Sequence, residues 1–236
     1  MSTTISTEGE IELHLPSAGK PCKTWYKVFG DLASRVHRPL VALHGGPGGT
    51  HHYLLPLVDF VSLYSIPVIL YDQVGNGRST RLPEKKGDKA FWTEELFLYE
   101  LDSVLAHFGI QDDYDLLGHS WGGMLAARHA TRRPSGLKHL IIMDSPASME
   151  LWTKATDRLR EALPQETQDI LSKHETNGTT HEKEYEEAVS IFYARHVCRL
   201  QPMPEQLTKT LGALTEDPTV YHTMCATILS SDTIVH

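Results

Sequence analysis

The sequence predicts an α/β fold: a mostly parallel sheet covered by helices, followed by a purely helical segment. Three observations carry this expectation. From residue 10 to residue 143, short apolar runs alternate with longer amphipathic ones, the pattern of strand-helix-strand units. Glycine-rich loops follow two of the apolar runs directly, at His44–Gly49 and Gly75–Ser79, as expected where a parallel sheet sends its loops to one end. Beyond Pro146 no strand-like run is found as far as Asp217, and only helical periods remain.

Taken in order, residues 10–15 alternate polar and apolar as a half-buried strand does, and residues 24–29 form a second strand after the turn signals between Pro16 and Pro21, so the two can pair as a hairpin. Leu40–Leu43 is a short buried strand that runs into His44-Gly45-Gly46-Pro47-Gly48-Gly49. Ile66–Tyr71 is another, ending in Asp72-Gln73-Val74-Gly75. Between Glu94 and Phe108 the apolar residues Phe97, Leu101, Val104, Leu105 and Phe108 keep a helical period, and Gly109 supplies the stop. A strand over 114–117, a helix over 124–133 and a strand over 138–143 complete the alternation. Helices are then expected over 151–163, 167–173 and 185–197, with the charged run 182–187 as a solvated face.

With 236 residues, 40% of them hydrophobic and 22% charged, the chain can bury one sizeable core or a core with an inserted lid. A net charge of −8 without clustered Lys and Arg argues against nucleic acid or an anionic membrane surface as partner. The polar stretch Met1–Glu10 has no apolar core and no window reaches the length of a spanning helix, so a soluble cytoplasmic protein is expected. Cys22, Cys198 and Cys225 are odd in number and widely spaced. They fit neither a disulfide framework nor a zinc site, and no metal or cofactor is expected.

The chemistry centres on Gly118-His119-Ser120-Trp121-Gly122, a G-x-S-x-G sequence between an apolar run and a helical one. A strand that turns at once into a helix holds its serine in a strained conformation, and flanking glycines let the neighbouring backbone approach closely enough to permit it. Ser120 is the candidate nucleophile. The next N–H, that of Trp121, sits at a helix N-terminus, where an unpaired donor and the helix dipole can receive a developing oxyanion. The Trp121 indole is expected to line a pocket. His44 and His119 are candidate general bases by type, but each is locked beside its own motif and is expected to be structural. Asp72 and Arg78 are expected to form turn hydrogen bonds. A phosphate cradle at residues 44–49 is disfavoured, because no lysine follows at the spacing that use requires.

His44-Gly45-Gly46-Pro47-Gly48, Tyr71-Asp72-Gln73 with Gly75-Asn76-Gly77-Arg78-Ser79, and Gly118-His119-Ser120-Trp121-Gly122-Gly123, in this order, resemble the proline iminopeptidase family of α/β-hydrolases. Residues 192–199 and 217–224 resemble that family's cap, particularly in its fungal members. The resemblance implies an α/β-hydrolase core at 1–146 and a helical cap with a divergent tail at 147–236. It also implies a serine hydrolase that releases an N-terminal residue, typically proline, from small peptides or amides. Ser120 would be its nucleophile, with an oxyanion hole formed by the Trp121 N–H and a glycine N–H of the His44 loop, first Gly46 and next Gly45. Consecutive glycines after a strand suit that task independently, since they bring an N–H close to a reacting oxygen with no side chain in the way. The loop form makes an esterase or lactonase the less expected activity.

After Met224 the likeness stops. In the family, this region leads to a glutamate that binds the substrate amino group, then to two strands bearing the triad acid and histidine. Here the chain reads from Cys225 to His236 without them, so a fold lacking its last strands is expected. Asp232 and His236 keep the order Ser, Asp, His, but four residues leave no room for the strand that separates the two loops. The alternative to an active enzyme is therefore a catalytically incomplete hydrolase that at most binds a ligand. An early end would also leave residues 138–143 as an exposed sheet edge, through which self-association is expected.

Overall fold

A computed structural model of the chain describes residues 5–34 and 36–228. Its sheet has six strands: β1 (Ser6–Leu13), β2 (Cys22–Phe29), β3 (Leu40–Leu43), β4 (Val68–Tyr71), β5 (Tyr114–His119) and β6 (Leu137–Met143), in the order β1-β2-β4-β3-β5-β6. β3 pairs in parallel with both β4 and β5, and β5 with β6. The expected hairpin is present, with β1 and β2 antiparallel from Ser6↔Phe29 to Leu13↔Cys22. β2 also runs antiparallel to β4, so the sheet is mixed but mostly parallel.

The burial of each strand follows its place in the sheet. Every residue of β3 and β4 is buried, which is why both read as unbroken apolar runs. β1 lies at one edge and alternates between exposed and buried positions over its C-terminal half. β6 lies at the other edge, and its Leu140, Ile141 and Ile142 are 36%, 43% and 49% exposed.

Helices α1 (Asp59–Tyr64), α2 (Glu94–His107) and α3 (Trp121–Thr131) fill the crossovers. α2 starts where Thr93 accepts the Leu96 N–H, carries Glu94 and Glu95 in its first turn, and is followed by Gly109 at φ +60°. Its apolar stripe, Phe97, Leu101 and Val104 among it, is fully buried. Charge pairs Arg128–Glu94 (2.8 Å) and Arg132–Asp102 (2.6 Å) tie α2 to α3 at the surface. A 3-10 stretch at His51–Val58 precedes α1. The sequence reading left that whole segment without structure, because Pro56 and two adjacent histidines hide its period.

The chain divides into two compact units, one running up to Ala147 and joined by Gln206–Thr227, the other Ser148–Glu205. A single cut at 146/147 therefore groups the last helices differently from the contacts. α7 (Glu205–Glu216) and α8 (Thr219–Ile228) lie on the loops after β3 and β4. Glycine makes this possible. A Cβ on Gly75, at φ +89°, would stand 2.5 Å from Val220 Cγ2, and one on Gly48 would meet Leu214 at 3.0 Å. Val220 is fully buried there, Thr210 Oγ1 lies 3.2 Å from Thr50 Oγ1, and Arg81 pairs with Glu216 at 2.8 Å.

The second unit consists of α4 (Met149–Glu161), α5 (Gln165–Asn177) and α6 (Lys183–His196). Leu163, Leu171, Tyr185 and Ala188 form its small core. Arg160 grips Glu175 with two bonds of 3.0 and 2.7 Å, both side chains largely buried, and Gly178 ends α5 in the left-handed conformation. Among the described residues no helix is long and apolar enough to cross a membrane.

Candidate active site

Ser120 occupies the turn between β5 and α3 at φ 54°, ψ −121°, a backbone conformation that a side-chain-bearing residue adopts only under strain. Three backbone bonds enforce it: Ser120 N–H donates to the Met143 carbonyl (3.0 Å), and its own carbonyl accepts the N–H groups of Gly123 (2.9 Å) and Met124 (3.2 Å). The glycines are required by close approach. A Cβ on Gly118 would lie 2.1 Å from the Gly122 oxygen, one on Gly122 would lie 2.3 Å from the Leu43 oxygen, and one on Gly123 would strike Ser145. The elbow is thus wedged between β3 and the loop after β6, with Ser120 half-buried.

The loop after β3 lies against this turn, for a Cβ on Gly45 would stand 3.1 Å from Ser120 Cβ. The two candidate donors of that loop are not equivalent. Gly45 N–H donates to Tyr53 Oη at 2.6 Å and is already engaged in this structure. Gly46, at φ +126°, uses its N–H in no hydrogen bond among the described residues. The Trp121 N–H is in the first turn of α3, where a helix has no internal acceptor to offer. Among the described residues, the N–H groups of Trp121 and Gly46 therefore make no hydrogen bond.

The Trp121 indole lies inside the core. It is buried, and its N–H donates to Gln73 Oε1 at 3.0 Å. Gln73 is itself buried. Its backbone N–H donates to His44 Nε2 (2.9 Å) and its side-chain amide to the His44 carbonyl (3.1 Å). Because Nε2 of His44 accepts, the proton sits on Nδ1, which donates to the Gly45 carbonyl at 2.9 Å. Both ring nitrogens are used, and burial lowers the pKa of His44, so the ring is a neutral structural element. His119 Nδ1 lies 2.9 Å from Tyr53 Oη, the hydroxyl that accepts from Gly45. Its pKa is lowered by burial, against the opposing charge of Asp144, whose carboxylate stands 4.0 Å from Nε2. Tyr53 therefore fastens the glycine loop to the residue before the nucleophile.

Asp72 does form the expected turn bonds, and more. Its carboxylate accepts the Arg78 N–H (3.0 Å), the His51 N–H (2.8 Å) and the His51 ring (2.8 Å), all out of solvent. Burial would raise its pKa, but the hydrogen bond and charge of His51, with smaller contributions from His44 and the Arg78 N–H, outweigh that and leave it lowered. The Arg78 side chain instead pairs with Glu8 and lies over the Trp25 ring at 4.4 Å. Asp232 and His236 lie outside the described residues. The sequence reading missed Gln73, Tyr53 and Glu100. Gln73 was visible only as a letter of a motif. Tyr53 and Glu100 carry no local signal, since their partners are eight to seventy-six residues away.

A family model for the alpha/beta hydrolase fold matches residues 38–184. Among curated relatives, the proline iminopeptidase of Saccharolobus solfataricus is 39% identical over 186 residues, which cover 79% of this chain and 58% of that protein. The proline iminopeptidase of Thermoplasma volcanium is 37% identical over 200 residues, 85% of this chain and 65% of the relative. Of solved structures, proline iminopeptidase from Mycobacterium smegmatis superposes with a TM-score of 0.79 at 41% identity, over 92% of this chain and 70% of that one. VinJ superposes with a TM-score of 0.83 at 46% identity, over 90% and 69%. The chain spans 58% and 57% of the first two curated relatives it matches.

Proposed function

The chain belongs to the proline iminopeptidase family of α/β-hydrolases, and from that membership we propose that it acts as a serine hydrolase on the N-terminal residue, typically proline, of small peptides or amides. The observation that carries the reading is the strained Ser120 at the start of α3 beside the glycine loop, with the N–H groups of Trp121 and Gly46 in no hydrogen bond among the described residues. Ser120 Oγ attacks the carbonyl carbon of the first residue as its proton passes to solvent, and the carbonyl oxygen, now anionic, is received by the two N–H groups. Collapse breaks the C–N bond as the nitrogen takes a proton from solvent and leaves as the amine, and water then hydrolyses the acyl-enzyme. The test is release of p-nitroaniline from prolyl p-nitroanilide. Release lost in Ser120→Ala supports the reading, whereas release unchanged in that variant refutes it.

A second reading is favoured by the commitments of the nearby histidines. Neither His44 nor His119 hydrogen-bonds Ser120 among the described residues, and each is held by other partners. In this reading the 236-residue chain is an incomplete catalyst that binds a small amide and turns it over barely above background. A turnover near the typical enzyme value of about 10 per second, abolished by Ser120→Ala, would exclude it.

A further inference from the structure

We infer that Gln73 is a positioning residue that fixes the two halves of the oxyanion hole relative to one another. The inference rests on the proposed role of Ser120, Trp121 and Gly46. One donor belongs to the loop that begins at His44, the other to the start of α3, and these segments are far apart in the chain. Gln73 bonds to both. Its amide nitrogen donates to the His44 carbonyl (3.1 Å) and its amide oxygen accepts from the Trp121 indole (3.0 Å), while its backbone N–H holds the His44 ring (2.9 Å). His44 and Gln73 are fully buried and Trp121 is 2% exposed, so water cannot take over these bonds without the core opening.

The chemistry at this position admits few side chains. A donor and an acceptor are needed at the end of one side chain, and the primary amide supplies both without depending on a titration. A buried glutamate could donate to the His44 carbonyl only while its carboxyl holds a proton, and leucine would leave that carbonyl and the indole N–H buried without partners. Gln73 is also mounted on a fixed base. Asp72 before it accepts bonds from His51 and Arg78, and the N–H of Val74 after it donates to the buried Glu100 at 2.8 Å. The amide therefore acts from a backbone that is held on both sides. Displacing either donor by about 1 Å is enough to lose much of its effect on a tetrahedral oxygen.

The experiment uses the full chain and a small alkyl fluorophosphonate, so that it does not depend on the natural substrate. Ser120 Oγ forms a bond to phosphorus as the P–F bond breaks, fluoride leaves, the serine proton passes to solvent, and the phosphonyl oxygen occupies the hole. Gln73→Leu is expected to lower the maximal labelling rate roughly 10- to 100-fold with KI nearly unchanged. Trp121→Phe, which breaks only the indole bond and keeps the backbone donor, is expected to give a smaller loss and stands in should Gln73→Leu not fold. In parallel, the backbone amide resonances of Gly46 and Trp121 are expected to shift in Gln73→Leu. Labelling at the parent rate in both Gln73→Leu and Trp121→Phe overturns the inference. If the parent chain itself labels no faster than Ser120→Ala, the acyl-transfer reading is what fails. The amide resonances then decide the positioning role, and their constancy overturns it.

Discussion

Replacing Glu100 by glutamine should change how stability depends on pH. Glu100 is fully buried on α2, and one carboxyl oxygen accepts both the Thr24 hydroxyl and the Val74 N–H (2.8 Å), while the other, Oε2, has no partner among the described residues. No cation faces it. Burial is the largest influence and raises its pKa from an ordinary 4.5 to about 8, against the lowering effect of those two hydrogen bonds and with a further push from Asp72. The folded protein thus holds this proton up to about pH 8, whereas the unfolded chain releases it near 4.5. For a group raised on folding, the contribution is fully present below the unfolded value and is lost as pH rises toward the folded one. The loss is about 1.4 kcal/mol per pH unit, or roughly 3 kcal/mol by pH 7. Glutamine keeps the accepting oxygen and has no proton to lose. Its stability minus that of the parent should therefore climb by about 1.4 kcal/mol per unit between pH 5 and 8, on top of a constant offset for whatever the amide N–H groups meet. Urea unfolding at four pH values measures the difference directly. Parallel curves for the two proteins would mean that Glu100 is ionised in the fold, and the argument from burial would be wrong.

Ser120→Gly should relieve the backbone strain at φ 54°, raising stability by about 1 kcal/mol after the entropy that glycine adds to the unfolded chain, while ending any Ser120-dependent labelling; a lower melting temperature would show the elbow to be unstrained. Gly118→Ala should cost roughly 1–3 kcal/mol in denaturant unfolding, because the new methyl would overlap the Gly122 carbonyl; a neutral result would mean that the elbow yields easily. Asp72 has a lowered pKa, so its contribution is present at neutral pH and is lost as pH falls through its folded value. Asp72→Asn should accordingly flatten the acid limb of the stability curve, and an unchanged limb would count against the His51 pairing. The exposed Leu140, Ile141 and Ile142 at the β6 edge should make the chain self-associate in size-exclusion chromatography with light scattering, and Ile141→Lys should shift it toward monomer. A monodisperse parent monomer would remove that expectation.

The sequence exposed those parts of the fold whose causes are local. β3 and β4 read as strands because burial on both faces makes them uninterrupted apolar runs. The elbow was legible because its strain and close packing select glycine at 118, 122 and 123, and an absent side chain is visible in sequence. Where the cause is distant, the reading failed or stopped short. The placement of α7 and α8 depends on Gly48 and Gly75 leaving room for Leu214 and Val220, contacts that span 145 residues or more and leave no periodic trace.

The same distinction governs the site. Ser120, Trp121 and Gly46 are legible as candidates because a nucleophile at a helix start and a glycine beside it are recognised by what their own positions demand. Gly45 seemed nearly as good a donor as Gly46, since both have an N–H and no side chain. What separates them is Tyr53, whose hydroxyl takes one N–H and leaves the other. Gln73 and Tyr53 are ordinary residues in sequence and become specific only when the loops after β3 and β4 meet the start of α3. A site of this kind is then legible to the extent that its donors are backbone atoms shaped by glycine, and illegible in the buried polar side chains that aim them. Substitutions at Gln73 and Tyr53 should for that reason be more informative about the geometry of the site than substitutions at the glycines, which test only whether the chain can fold there.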